Sequence, residues 1–516
     1  MGYRVSSTVA AALLSLTGCS LIYNPGNLPN PASDAILPDG TPDTPIIPID
    51  ADPALLEITD VSPRELLEGQ GIDGSRRAVV VVTGANIVAG ATVQITAHAG
   101  ETGTPLITVH NEDVVVSTDG ITVAVPITVD VDPSIGPGVL ASIRLDVAVT
   151  QPTAGEPITK ALVERETADD PILTLRGLRE QLGGGTLTID LASPPPLFSK
   201  IDATTLAFTG TANLPVLEAV SSLTITNPLS VSATGQTAGV GGANGGAGGP
   251  GGVLDGSLGS AGTGTGGGTP SGGGGSFGEQ GLAGPGAPGD IAGLASLATL
   301  TSPNRGSGGA GGNGVSLGSA GGAGGGGGGT VALTAGGDLT FSAITADGGA
   351  GAAGGNAGGG GSGGAVLLRA GNTITVTGAG VSAIGGTSPG TGKGGNGRVR
   401  FDAGRKSTTV TSTPAAGHRG AMLDVGTALI VRDQTPSLTF QGNGGSGLSY
   451  TVENADSSIT RGPVALELPG TGTLTLPDGI AVDLFRGVSI FCVRIEGANG
   501  TSVATAKNCV TIVFVP

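Results

Sequence analysis

The sequence predicts an all-β protein with three parts: a small N-terminal β-sandwich, a central glycine-rich parallel β-solenoid and a C-terminal β-sandwich. Three observations predict it. Short stretches that alternate apolar with polar or small residues recur from residue 57 to residue 516, the period-two pattern of half-buried strands. One such stretch is written several times over, the mark of a stacked repeat. And Gly 100, with Trp 0, Tyr 3 and Phe 9, leaves few large side chains to fill a core.

The repeat is clearest at Val331-Ala-Leu333-Thr-Ala335-Gly-Gly-Asp-Leu339-Thr-Phe341, which recurs 35 residues later as Val366-Leu-Leu368-Arg-Ala370-Gly-Asn-Thr-Ile374-Thr-Val376. A weaker copy, Leu217-Glu-Ala219-Val-Ser-Ser-Leu223-Thr-Ile225, lies upstream, and a partial one, Val399-Arg-Phe401-Asp-Ala403, lies downstream. Each full copy runs into a glycine-rich tract. One unit of this kind cannot bury its apolar face alone, so neighbours must stack.

Taken in chain order, residues 1–18 read as a secretory signal peptide. Arg4 gives a positive start, residues 9–16 are apolar, and Leu16-Thr17-Gly18-Cys19 follows. That tetrapeptide resembles the lipobox of bacterial lipoproteins, which implies cleavage before Cys19 and acylation of its thiol. The apolar run is too short to span a bilayer. The partner at this end is then the membrane, held through acyl chains on one cysteine. Ser20 stands where, in some bacteria, an Asp retains lipoproteins at the inner membrane. The expected location is the outer membrane, lipid-anchored and exposed at the cell surface, with the periplasmic face as the other position. Residues 19–56 carry Asn24-Pro-Gly26, Pro38-Asp-Gly40 and Thr41-Pro-Asp-Thr-Pro45, turn and extended-chain punctuation that makes a Pro/Asp-rich disordered tether. Asp50 and Asp52 read as solvated linker acids.

Residues 57–165 form the first module, with strands expected at 79–82, 92–95, 114–116, 121–125 and 143–147. Ile58-Thr-Asp-Val61-Ser-Pro63 followed by Val82-Thr-Gly84-Ala-Asn86-Ile87 resembles the immunoglobulin-like IPT/TIG domain. The resemblance implies a spacer or recognition module. Ile87 replaces the usual aromatic, and an insertion at 65–77 lengthens the first connection. His98 and His110 lack the cysteine neighbours of a zinc site. Asp169 and Asp170, adjacent before Pro171 in a loop, do not make a catalytic carboxylate pair.

Residues 172–410 hold the glycine-rich repeats, with a long glycine loop at about 235–329 and a second tract at 348–364. A collagen helix is excluded: Gly278, Gly281 and Gly284 keep a three-residue phase that Gly286 and Gly289 break. The tracts are expected either as disordered loops or as bundled polyproline-II-like strands, in which the missing side chains permit close approach. Two motifs fall short. Gly390-Thr-Gly392-Lys393-Gly394 lacks the first glycine and the hydroxyl of a phosphate loop. Gly311-Gly-Asn-Gly314-Val-Ser316-Leu317 has Ser316 where a calcium-binding repeat needs Asp. In outline this region resembles glycine-rich bacterial surface proteins.

Residues 430–516 form the last module, with strands expected at 438–440, 448–452, 464–468, 472–476, 488–495 and 510–515. The strand pattern resembles fibronectin- or immunoglobulin-like sandwiches. Cys492 lies on the fifth of these strands and Cys509 immediately precedes the sixth, and the two read as a disulfide that staples a hairpin, with two independent buried thiols as the alternative.

A net charge of -17 argues against nucleic acid as a partner, since nothing would neutralise its phosphates. No cofactor or metal is expected. The sequence therefore reads as a non-catalytic, lipid-anchored envelope protein with a structural or adhesive role, facing cell-surface glycan or other envelope proteins. The alternatives are a polysaccharide-binding or polysaccharide-degrading β-helix protein, against which Trp 0 counts because sugar rings stack on aromatic faces, and a scaffold of an envelope assembly.

Overall fold

The structure is a computed structural model that describes residues 56–70, 78–101, 105–130, 142–164, 170–194, 196–210, 213–242, 245, 258–264, 267–276, 280–284, 306–313, 319–402, 405–406, 410–414, 417–418, 420–423, 430–432, 437–443, 447–453, 458–465, 470–475, 486–496 and 508–516. The leader, Cys19, the tether up to residue 55 and Asp169 lie outside the described residues. The described residues are all-β, and their only helical turn is a short 3-10 segment, Asn111–Asp113.

Two five-stranded sheets make up the first region. Strands Glu57–Ser62, Ala78–Ala85, Thr122–Val129, Ile107–Val109 and Val115–Val116 form one; Glu65–Leu67, Leu173–Arg176, Ser142–Gln151, Thr92–Ala97 and Ile158–Leu162 form the other. Alternation dictates the packing. Along Ser142–Gln151 every second residue is buried, placing Ile143, Leu145, Val147 and Val149 on one face. They share a core with Val80, Val82, Val123, Val125 and Ile127 of the facing sheet. Each such side chain taken out of water contributes about 1.5–3 kcal/mol. The insertion at 65–77 has a structural use: Glu65–Leu67 lies parallel to Leu173–Arg176, which runs antiparallel to Ser142–Gln151. A strand at the head of the 172–410 segment therefore completes a sheet of the first module.

Next comes a 13-stranded sheet in which every pairing is parallel. Its registers align the sequence repeats residue for residue. Leu217, Leu333, Leu368 and Phe401 are successive partners, as are Leu223, Leu339 and Ile374. The same positions, with Ile225, Phe341 and Val376, form one continuous buried cluster. A slip of one residue would turn this whole set outward, so burial itself pins the register. Where the first module meets this sheet, a Glu68 carboxylate oxygen accepts from the Leu178 amide at 2.7 Å. Beside it Gly69 sits at φ +87°, and any Cβ there would press on the Ser199 carbonyl.

In the last region Gly420–Leu423, Ser437–Asn443 and Gly470–Thr475 form a three-stranded sheet. Ile430–Val431, Asn508–Phe514, Gly487–Glu496, Gly447–Glu453 and Ser458–Ala465 form a five-stranded one.

Candidate functional site in the glycine-rich array

The described glycine runs are neither strand nor helix, and they are packed. Two of them leave the parallel sheet and return to it. Residues 346–352 leave after Leu339–Thr345, and 356–364 return to start Ala365–Ala370; residues 383–387 leave after Thr373–Ser382, and 392–397 return to start Arg398–Asp402. Successive returning runs then lie side by side, with Gly325 and Gly328 donating to the carbonyls of Gly359 and Ser362 at 2.8 Å.

Residues 358–364 are the hub of this array, and all seven are buried. Their amides point three ways in rotation. Gly358, Gly361 and Gly364 donate to Ala352, Gly349 and Ala346; Gly359 and Ser362 donate to Ala310 and Ser307; Gly360 and Gly363 donate to Gly392 and Gly395, all at 2.7–3.0 Å. A direction that returns every third residue is the signature of a polyproline-II helix, which turns once in three residues and leaves its polar groups for neighbours. The hub's carbonyls accept from three further stretches, through Gly325 and Gly328, Gly275, and Gly386. Six neighbours thus surround one strand.

Only glycine permits this spacing. A Cβ at Gly358, Gly359, Gly360, Gly361, Gly363 or Gly364 would fall against a carbonyl of an adjoining run. The one side chain in the hub, Ser362, is fully buried, and its Oγ accepts from the Ser307 amide at 2.7 Å. The missing side chains are replaced by backbone hydrogen bonds, each contributing about 0.5–1.5 kcal/mol net.

The described residues of the array carry only two charges, Asp347 and Lys393, and its sheet bears ladders of hydroxyl side chains. Thr224, Thr340 and Thr375 occupy successive rungs of the parallel ladder, about 4.8 Å apart. Ser230, Thr345, Ser382 and Thr413 occupy another such series, with Thr345 Oγ1 donating to Ser230 Oγ at 3.0 Å. Leu258, Leu282 and Ile384, three of the six large apolar side chains exposed among the described residues, stand on the array. One carboxyl is perturbed. Burial raises the pKa of Glu218, and the charge of Arg369, two rungs away, partly opposes the rise.

The sequence candidates are placed as follows. His98 Nδ1 lies 2.8 Å from an Asp146 carboxylate oxygen; His110 contacts Glu112 and Thr128. Each histidine has its own partners, and no group of three or more His, Cys, Asp or Glu among the described residues could hold a metal ion. At Gly390-Thr-Gly392 the Gly390 amide donates to Ser388 Oγ, while the Gly392 carbonyl accepts from the hub. That loop is a structural corner of the array. Gly314 and Ser316 lie outside the described residues, as do the side chains of Cys492 and Cys509. The backbone, however, makes Cys492 and Cys509 direct partners across an antiparallel pair. Sequence reasoning left the state of the glycine runs open, and their three-residue hydrogen-bond rotation is invisible in composition.

Comparison with known proteins gives no match: no family model fits the chain, and neither a curated protein nor a solved structure matches it significantly.

Proposed function

We propose that this chain is a lipid-anchored protein of the bacterial cell envelope with a structural or adhesive role. In this reading Cys19 carries the lipid, the first module is an IPT/TIG-like sandwich, the parallel stack is a β-solenoid, and the last module is an immunoglobulin- or fibronectin-like sandwich. The observation that carries it is the glycine array. A tract that composition alone would make a flexible linker is held by backbone hydrogen bonds in three directions around its hub. Such a body suits the presentation of a rigid, weakly charged surface, rich in hydroxyl and backbone groups, to other cells, matrix or glycan. A catalyst would need titratable groups gathered at one place; here the polar residues are spread along ladders.

The test is protease shaving of intact cells that express the full chain, with mass spectrometry of peptides from residues 165–215 and 398–516. Release from unbroken cells is expected. Release unchanged in Cys19→Ser, together with no acyl label on the wild-type chain, would remove the lipid anchor. Protection until lysis would place the protein in the periplasm. Appearance of reducing or unsaturated ends from polysaccharides would replace the structural reading with an enzymatic one.

The same proposal includes a Cys492–Cys509 disulfide, since an oxidising compartment preserves one and the register sets the two residues opposite each other. The intact protein is expected to show no reactive thiol at either position before reduction. Reduction, or Cys492→Ala with Cys509→Ala, is expected to cost about 3 kcal/mol, because the bond closes a loop of about 16 residues. Two alkylated thiols in native protein kept from reductant would rule the bond out.

A further inference from the structure

The first and last regions, remote in sequence, come into contact around the turn 117–121. On the first module the turn 117–121 joins Val115–Val116 to Thr122–Val129. It is fixed from within. Ser117 Oγ donates to Asp119 Oδ1 at 2.7 Å and accepts from the amides of Ile121 and Thr122 at 3.1 and 2.9 Å. Gly120 takes φ +67°, and a Cβ there would meet the Ile87 carbonyl. Asp119 Oδ1 is thereby spent inside the turn, which leaves Oδ2 facing out.

On the last module three strands end together. Val431 and Gly487 are both register partners of Phe514, so Arg432, Arg486 and the 515–516 segment share one end of the five-stranded sheet. All three positions meet the first module. The Pro516 carbonyl oxygen accepts from the Thr118 amide at 2.9 Å and from its hydroxyl at 3.3 Å. Arg432 Nη2 donates to the Val116 carbonyl at 2.8 Å, and the Arg486 guanidinium pairs with Asp119 Oδ2. A small cavity lined by Ala89, Thr92, Asn111, Val114 and Arg432 adjoins the contact. Asp119 responds to these neighbours. Burial of its carboxyl raises its pKa, but the hydrogen bonds from Ser117, Arg486 and the Ile121 amide and the Arg486 charge together hold it below the usual value.

We infer that the folded chain is clasped head to tail, with the end of the C-terminal sheet docked on the 117–121 turn of the first module. The clasp stands on the contacts alone. Its consequence for orientation rests on the lipid anchor proposed above. If the membrane holds the chain through Cys19, the last module is drawn back beside the first, near the membrane. The glycine array and the repeat stack, not the C-terminal module, then form the part presented outward.

The experiment is disulfide trapping in the purified full chain carrying Asp119→Cys and Arg486→Cys, under mild oxidation and across a range of dilutions. A species running faster on a non-reducing gel is expected in most molecules at every dilution, and it should be absent from each single variant. Thr118→Cys with Pro516→Cys gives a second pair at the same contact, should the first disturb folding. No fast species with either pair would overturn the clasp. A dimer band alone, growing with concentration, would also overturn it, by showing that the contact forms between copies. Trapping needs no lipid, so a trapped chain that takes no acyl label would keep the clasp and lose only the orientation.

Discussion

Gly360→Ala is expected to break the glycine array, at a net cost of about 3 kcal/mol. The added methyl has nowhere to go. Its position falls against the Gly386 carbonyl, with the Gly394 amide nitrogen close on another side. Both atoms belong to backbone that is itself hydrogen-bonded, since Gly386 donates to the Gly361 carbonyl and Gly394 to that of Gly386. Side chains relax by changing rotamer; a carbonyl in a three-way lattice moves only if its run moves. Against this, alanine stabilises by restricting the unfolded chain, an effect of about 0.4–1 kcal/mol. The steric term wins, for the same reason that one glycine replacement disrupts a collagen helix.

The measurement is hydrogen exchange of the 356–364 peptide beside thermal unfolding. In the native chain each amide from 358 to 364 is hydrogen-bonded, so strong protection is expected, and Gly360→Ala should abolish it. Gly390→Ala serves as the control. Gly390 is exposed, and its Cβ would meet only the side-chain ends of Ala357 and Ser388, at 3.3 and 3.6 Å. Equal behaviour of the two variants would mean that the tract is not packed as described.

Local pattern and long-range pairing differ in what a sequence exposes. Strand 143–147 was legible because Ile143, Leu145 and Val147 alternate, and it extends as Ser142–Gln151. The repeats were legible because stacking in register demands the same residue type at the same position, as with Leu217, Leu333 and Leu368. Strand Ile158–Leu162 was not legible. It pairs with Ser142–Gln151 alone, at the edge of its sheet, and its residues are largely exposed, so no apolar alternation marks it. Glu65–Leu67 was hidden for another reason: its partner Leu173–Arg176 lies more than a hundred residues away, and its three residues are too few to show a period. The array stands at the far end of this scale. Glycine has no side chain to pattern, so packed and unpacked tracts share one composition, and only the surrounding sheet aligns the runs. The 117–121 turn shows the same limit. Ser117-Thr-Asp-Gly120 reads as a turn, but nothing near it in sequence announces Arg486.

Phe341→Ala is expected to cost about 3–5 kcal/mol, as large a loss as a core substitution brings. Phe341 is 1% exposed and is the largest fully buried side chain among the described residues. Its register partners are Ile225 on one side and Val376 on the other, both smaller, so the ring spans space that neither can refill. Phe341→Leu keeps most of that volume and should cost less than about 1.5 kcal/mol. The two variants separate loss of packing from loss of an aromatic ring. Where the damage appears is the sharper test. In a stack each repeat bears on its neighbours, so exchange should quicken in peptides from 216–225 and 365–376. It should stay slow in 122–129, whose valines belong to a separate core. Loss of protection in all of these at once would mean that the first module and the stack unfold as one unit. In that case the Glu68 carboxylate buried against the Leu178 amide would be the first place to look for the coupling, since removing a buried acceptor leaves its partner unsatisfied.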